Sequence, residues 1–368
     1  MGFILILERS QRPTMTAKIR IGVVGAGNIG NVHLNVFGKL DDVEIAGVTD
    51  AYLPLAEQRA QEHGLAKVYA NPQEMFDDAN VDAVVIGVPN KYHAPLAIEA
   101  LQKGKHVLLE KPMAISAEAA KSILEAKQQS GRILMMAHQM RWSGVARALK
   151  QQVEEGKLGR IYNAKTGWFR KKGIPGWGTW FTRMDESGGG PLIDIGVHML
   201  DMTLYLMGNP KPVSVYGTTY AEFGPRRTGI GSWGTPNWDG YYDVEDLATA
   251  LIKMDDGSTL SLEVSWAAHA AGFTQEPFVH LMGTDAGGAI VGDKGSIVTH
   301  EGDDVVEKDL EPLDGEEDRI LLSKHFIACL REGKEPISPA LSGYVNNRIL
   351  SAIYESSRTG SEVKLNWD

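Results

Sequence analysis

The sequence predicts an α/β chain in two parts. A parallel sheet covered by helices on both faces comes first, and an α+β domain with a large, open, mostly antiparallel sheet follows. Three observations predict this. A glycine turn, Gly25-Ala26-Gly27-Asn28-Ile29-Gly30, sits between an apolar run and a helix-patterned stretch. Apolar runs and helical stretches then alternate to about residue 139, as βαβ units do. Beyond Arg141 the alternation stops, and strand-like runs succeed one another with few helices between them. The expected divisions are an extension over residues 1–17 without stable order, a first domain over 18–139 and a second over 140–368.

The composition sets limits. The chain has 368 residues, 43% of them hydrophobic, enough for two cores. Its formal net charge of −10 argues against nucleic acid or an anionic membrane as partner. Its single cysteine, Cys329, excludes an internal disulfide framework and fits a cytoplasmic protein. The apolar run Phe3 to Leu7 has no basic segment before it and is too short for an export signal or a membrane span. Met15 could be the natural start.

Each element of the first part follows from its residues. KIRIGVV is a strand, NVHLNVFGKL a helix, and VEIAGVTD a second strand ending in Asp50. The turn between them suits a pyrophosphate, which is held by free N–H groups at a helix N-terminus. A side chain at Gly25 or Gly27 would block that approach, and Gly30 lets the helix pack on the strand. Asn28 and Ile29 open the helix beside the same site. Asp50 lies twenty residues after Gly30. A carboxylate there accepts from the adenosine ribose hydroxyls and repels a 2′-phosphate, so the expected cofactor is NAD rather than NADP. This is a Rossmann dinucleotide-binding pattern. PLAEQRAQEHG reads as a helix, VDAVVIGVPN as a buried strand and HAPLAIEALQKG as a helix. KHVLLEKPMA is a strand, SAEAAKSILEAKQQSG a helix capped by Ser116 and ended by Gly131, and RILMMAHQMR closes the series. Pro89-Asn90 and Glu110-Lys111-Pro112 fall at carboxyl ends of strands, where ligands bind such sheets.

In the second part, strands are expected at GRIYNAKTGWFRKK, PVSVYGTTYAEF, DLATALIKM, STLSLEVSWAAH and between Phe278 and Thr299. Asp255-Asp256-Gly257-Ser258 reads as a hairpin turn. Helices are expected over 191–207, about 316–332 and about 342–358. On the first of these, Asp194, His198, Asp201 and Tyr205 share one stripe, and Leu192, Ile195, Met199 and Met202 share another. The polar stripe can exchange protons. Alternatively it is an Asp194–His198 ion pair satisfying itself in a packed helix, the usual case for such a pair seen alone.

Three motifs stand in order: the glycine turn with Asp50, Glu110-Lys111-Pro112, and Asp194-x-x-x-His198 with Asp201. In this combination the chain resembles the Gfo/Idh/MocA oxidoreductases over about residues 18–365. The resemblance implies a Rossmann domain followed by an open-sheet domain that pairs subunits as a homodimer or homotetramer. It implies a sugar or cyclitol substrate between that sheet and the nicotinamide. Lys111, Asp194 and His198 fall on the family's catalytic positions, Glu110-Lys111-Pro112 beside the nicotinamide, and His93 near the cofactor edge, where it could instead only shape its loop.

The chemistry asked of these residues is definite. Oxidising a secondary alcohol needs a hydride acceptor, which the cofactor supplies, and a base of suitable pKa, for which His198 is the natural candidate. Asp194 could support that imidazole, and Lys111 could stabilise a developing alkoxide. Asp201 could bind a hydroxyl or support His198. Segment 168–181, WFRKKGIPGWGTWF, offers Trp168, Arg170, Trp177 and Trp180 as substrate-binding candidates, because sugar rings present C–H faces to aromatics. Alternatively the segment is an apolar loop buried at an interface. Arg170, Lys171 and Lys172 would suit a phosphorylated sugar. No metal-ligand spacing is present. The expected activity is therefore NAD-dependent dehydrogenation of a sugar or cyclitol hydroxyl. The alternatives are an NAD-dependent glycosidase working through transient oxidation and a non-catalytic cofactor-binding regulator.

Overall fold

A computed structural model describes residues 18–272 and 274–367. The extension expected over residues 1–17 lies outside the described residues. The first domain runs β1 (Ile19–Val24), α1 (Asn28–Phe37), β2 (Val43–Thr49), α2 (Leu53–Glu62), α3 (Pro72–Asp77), β3 (Ala83–Ile86), α4 (His93–Gln102), β4 (His106–Leu109), α5 (Ala117–Ser130) and β5 (Leu134–Met136). The five strands lie in the order β2-β1-β3-β4-β5, and every pairing is parallel. The buried AVVI of β3 shows why the central strands read as unbroken apolar runs: both faces are covered. Ser116 Oγ caps α5 by accepting from Ala119 N, and Gly131 ends it at φ +63°.

The second domain begins with α6 (Gly144–Glu154), a helix absent from the expectations above, which Ser143 caps through Ala146 N. Then come β6 (Ile161–Phe169), the short α7 (Met184–Ser187), a π turn over Leu192–Gly196, α8 (Val197–Leu206), β7 (Pro212–Tyr220), β8 (Leu247–Met254) and β9 (Thr259–Ser265). The chain closes with β10 (Phe278–Gly283), β11 (Gly287–Val291), β12 (Lys294–Glu301), β13 (Asp304–Leu310), α9 (Asp318–Glu332), α10 (Ala340–Thr359) and β14 (Val363–Lys364). Among the described residues, nine strands form one sheet, β13-β12-β11-β10-β6-β9-β8-β7-β14. All its pairings are antiparallel except β6 with β9. The expected turn at 255–258 joins β8 to β9, with Gly257 at φ +84°.

Two features position the site. In the first domain, β1, β3 and β4 are neighbours and parallel, so their carboxyl ends open side by side on the glycine turn, on Pro89-Asn90 and on Glu110-Lys111-Pro112. The Lys111–Pro112 peptide bond is cis. In the second, the helix expected over 191–207 starts as a π turn, which adds a residue to the turn that contains Asp194. Helix α9 lies late in sequence yet joins the first domain's core: Leu322, Phe326 and Ile327 pack in one buried cluster with Ile19, Ile21, Phe37 and Val85. The C-terminal chain thus clamps the nucleotide-type sheet. Phe326 is wholly buried there, so Phe326→Ala is expected to cost about 3–5 kcal/mol. Denaturant unfolding checks this; a loss below about 1 kcal/mol would mean that α9 is not part of that core.

Candidate functional site

A cavity of about 990 Å³ runs between the two domains. Its first-domain wall is built by the three strand ends. Gly25, Gly27, Asn28, Ile29, Asp50, Pro89, Asn90, His93, Glu110, Lys111 and Pro112 all line it. The three turn glycines serve different ends. A Cβ at Gly25 would lie 2.3 Å from Gly87 O, and one at Gly30 would lie 1.8 Å from Gly25 O. A Cβ at Gly27 would meet no protein atom within 4 Å. Gly25 and Gly30 are therefore required by packing, while the space at Gly27 is open for a ligand. Helix α1 has no side-chain N-cap, so its first N–H groups are left for an anion. Asp50 accepts from Ala26 N at 2.7 Å and from Tyr52 N at 2.8 Å, one bond to each oxygen. Both oxygens keep capacity for ribose hydroxyls. Arg59, which sequence reasoning passed over, reaches the turn, but it donates to Ala26 O and pairs with Glu62. These features fit a dinucleotide.

Several polar side chains near the cavity have fixed partners. Asn90 Nδ2 donates to Ser187 O at 2.8 Å, across the domain boundary. His93 is buried, with its ring nitrogens 2.7 and 2.9 Å from Pro112 O and Val88 O. Burial lowers its pKa, and both ring nitrogens face backbone carbonyls of the neighbouring loops. Glu110 lies 2.8 Å from His33 Nε2 and 3.4 Å from Arg319 Nη1. Burial works against this carboxylate, yet the hydrogen bond and charge of His33, with Arg319 and Lys111, bring its pKa down to about 2.

The second-domain wall carries Trp180, Phe181, Ser187, Gly189, Ile193, Asp194, His198 and Trp233. Lys111 Nζ donates to Asp194 O at 3.0 Å and stands 3.4 Å from Asp194 Oδ1. Asp194 Oδ2 accepts from the indole of Trp266 at 3.0 Å. The ordinary helix pair between Asp194 and His198 is not formed. Asp194 lies inside the π turn, and its carboxylate turns to Lys111 and Trp266 instead. His198 is only 8% exposed. Its Nδ1 is buried without a partner among the described residues, so Nε2 is the nitrogen a ligand could reach. Burial lowers its pKa well below the ordinary 6.5, and the charges of Lys111, His138, Arg319 and Arg170 lower it further.

Asp201 departs from expectation. It is buried, takes both Arg141 Nε and Nη2 at 2.7 and 2.6 Å, accepts from Asn346 at 3.0 Å and lies 3.2 Å from His138. It faces neither the cavity nor His198; it neutralises a buried arginine. The aromatic segment divides likewise. Trp180 lines the cavity. Trp177 does not: it is buried, donates to Gly224 O at 2.7 Å and stacks on Trp238 and Tyr242. Its indole finds its partner in the backbone, which makes it a packing residue. Trp168 and Arg170 stack on each other at 4.4 Å and lie outside the cavity lining, though the Arg170 charge is felt at His198. Trp233, Phe181, Trp266 and Arg319 were missed. The run GIGSWGTPNWDGYY repeats the aromatic-on-glycine pattern of segment 168–181 and was a readable signal for Trp233. Arg319 reaches the site only because α9 folds back, and nothing local announces that. No cluster of metal-ligating side chains occurs, and no helix is long and apolar enough to cross a membrane, among the described residues.

A two-domain protein with a dinucleotide cradle facing a Lys–Asp–His cluster is defined by these features, and comparison with known proteins agrees. The family described as "Oxidoreductase family, NAD-binding Rossmann fold" matches residues 19–138, and the GFO/IDH/MocA C-terminal domain matches 146–298. The D-glucoside 3-dehydrogenase of Escherichia coli (strain K12) is 30% identical over 354 residues, 95% of this chain and 98% of that protein. A scyllo-inositol 2-dehydrogenase (NAD(+)) of Bacillus subtilis (strain 168) is 27% identical over 365 residues, 95% of this chain and 97% of that protein. In fold the chain is similar to a levoglucosan dehydrogenase solved with NADH and levoglucosan, with TM-score 0.83 and 23% identity over 94% of this chain and 99% of that one. The chain belongs to the Gfo/Idh/MocA family and is an NAD-binding oxidoreductase.

The glycine geometry makes a separable prediction. Gly27→Ala should keep the fold while weakening NAD binding, and Gly30→Ala should destabilise the domain outright. Titration calorimetry with NAD and thermal unfolding distinguish them; equal effects of the two variants on both readouts would contradict this assignment.

Proposed function

We propose that this protein oxidises a secondary hydroxyl of a neutral sugar or cyclitol, with His198 as general base. The observation that carries the reading is that Lys111, Asp194 and His198 line the same cavity as Gly27 and Asp50, with His198 held neutral by its surroundings. NAD, when bound, is the hydride acceptor. The chain's own residues handle the proton and the oxygen. A neutral imidazole at His198 can take the hydroxyl proton on Nε2. Lys111 Nζ, held by Asp194, can donate to the same oxygen and stabilise negative charge as it develops. Asp194 thus acts on Lys111 rather than on the imidazole, and Trp266 fixes its second oxygen.

The charge pattern supports a neutral substrate. Among the described residues, the lysine and arginine side chains lining the cavity are Lys111 and Arg319, and each already faces a carboxylate, Asp194 and Glu110. Lys171 and Lys172 are exposed and lie outside the lining, so a phosphorylated sugar finds no free cation pair there. Association into a homodimer or homotetramer would use the sheet face opposite the helices, where Tyr162, Tyr216 and Leu251 are exposed. That reading is checked by sedimentation.

The test is NADH production from inositols, aldoses and glycosides, with wild type and His198→Ala. Loss of the base should lower kcat by ~10²–10⁴-fold and leave NAD affinity unchanged. The pH dependence has a definite sign. Protonated His198 cannot accept a proton, and its pKa is depressed, so kcat/KM should stay level as pH falls through 6.5 and decline only below it. A profile from about pH 5 to 9 that falls through 6.5, or a His198→Ala enzyme at near wild-type rate, would move the base elsewhere, to Lys111 first.

A further inference from the structure

The cavity ends in a feature that the proton chemistry does not use. Trp180, Phe181 and Trp233 line it together. Phe181 meets Trp233 edge-on at 4.6 Å. Trp233 is 51% exposed, whereas His198 is 8% exposed, so the aromatic group marks the mouth and the imidazole the floor. Three aromatic side chains grouped on one cavity wall form the kind of apolar surface on which ligands bind.

The loop that carries Trp233 is held in place. Its backbone runs against the loop that carries Trp180 and Phe181. Gly176 N donates to Trp233 O at 3.0 Å, Gly231 N to Ile174 O at 2.9 Å and Asn237 N to Trp177 O at 2.7 Å. Glycines face one another at three successive points. A Cβ at Gly231 would lie 2.9 Å from Gly173 Cα, one at Gly234 3.1 Å from Gly176 Cα, and one at Gly240 2.1 Å from Gly178 O. Only paired glycines let the two backbones approach so closely. The aromatic group is therefore a fixed platform, built from both aromatic-on-glycine segments of the sequence.

We propose that Trp180, Phe181 and Trp233 form a subsite for a second ring, so that the substrate is a neutral glycoside bearing another sugar or an aryl group. This rests on the reading of the cavity floor as the site of oxidation. On this reading one ring occupies the buried floor beside Lys111 and His198, and the half-exposed Trp233 is left for a further group. A second ring, joined through a glycosidic oxygen, lays an apolar face on Trp233 with Phe181 at its side. The platform itself brings no ionised side chain, which suits an uncharged ring rather than a nucleotide or phosphate.

The experiment compares wild type, Trp233→Ala and Trp233→Phe on phenyl β-glucoside, a disaccharide and the free monosaccharide. The proposal expects wild type to favour the two-ring substrates. It expects Trp233→Ala to raise their KM about tenfold with kcat nearly kept, and to raise the KM of the monosaccharide by a clearly smaller factor. Trp233→Phe should restore most of the loss. Equal effects on one-ring and two-ring substrates, or none on either, would overturn the subsite. If wild type oxidises none of these sugars, the reaction reading fails. Calorimetric binding of phenyl β-glucoside to the NADH-loaded protein then decides the subsite: binding weakened in Trp233→Ala supports it, and absent or unchanged binding refutes it.

Discussion

The contact between Lys111 and Asp194 is the constraint on which the site depends. Lys111 stands just past the end of β4 in the first domain, and Asp194 stands in the π turn that starts the second domain's central helix. Their bond joins the wall that suits a dinucleotide to the wall that would face a substrate. Asp194 sits within that turn and pairs with Lys111 rather than with His198, four residues on. Trp266, wholly buried at the end of β9, then holds the other carboxylate oxygen, so Asp194 is fixed from the sheet as well as from the opposite domain.

Charge balance around this contact follows the same economy. His33, Arg319 and Lys111 surround Glu110, and Asp194 faces Lys111. Among the described residues, the lysine and the arginine at the cavity each face a carboxylate, whereas the imidazole of His198 faces none. Burial and nearby positive charge keep it neutral. A few residues away on the same helix, Asp201 meets the opposite fate: Arg141, Asn346 and His138 surround it deep in the protein. Removing one partner of such a buried pair is costly, so Asp201 belongs to stability rather than to chemistry.

The first domain was legible because its signals are local. The glycine turn, the apolar runs, Ser116 and Gly131 each act within a few residues of their own position. The open sheet was legible for the same reason, in strand patterns and in the turn at 255–258. The site was legible in part. Lys111, Asp194 and His198 are brought together at one cavity as their motifs suggested, but the mutual geometry was not, because a π turn leaves no mark in a pattern of apolar spacing. Trp177 shows a second limit: an indole's identity does not tell whether its N–H will meet a ligand or a backbone carbonyl. Arg319 shows a third. It arrives on α9, whose apolar face packs on a sheet some two hundred residues earlier in the chain, and only tertiary structure makes that neighbour.

The central claim is that Lys111 and Asp194 act as one unit, and a double-mutant cycle on kcat/KM tests it most directly. Lys111→Met, Asp194→Asn and the double variant would be compared with wild type on the best neutral sugar found, with folding checked by thermal unfolding. Residues that work as a unit lose nearly all their effect with either partner, so the double variant should be no slower than the worse single. Losses that multiply, each variant acting as though the other residue were intact, would show that the contact across the cleft is incidental.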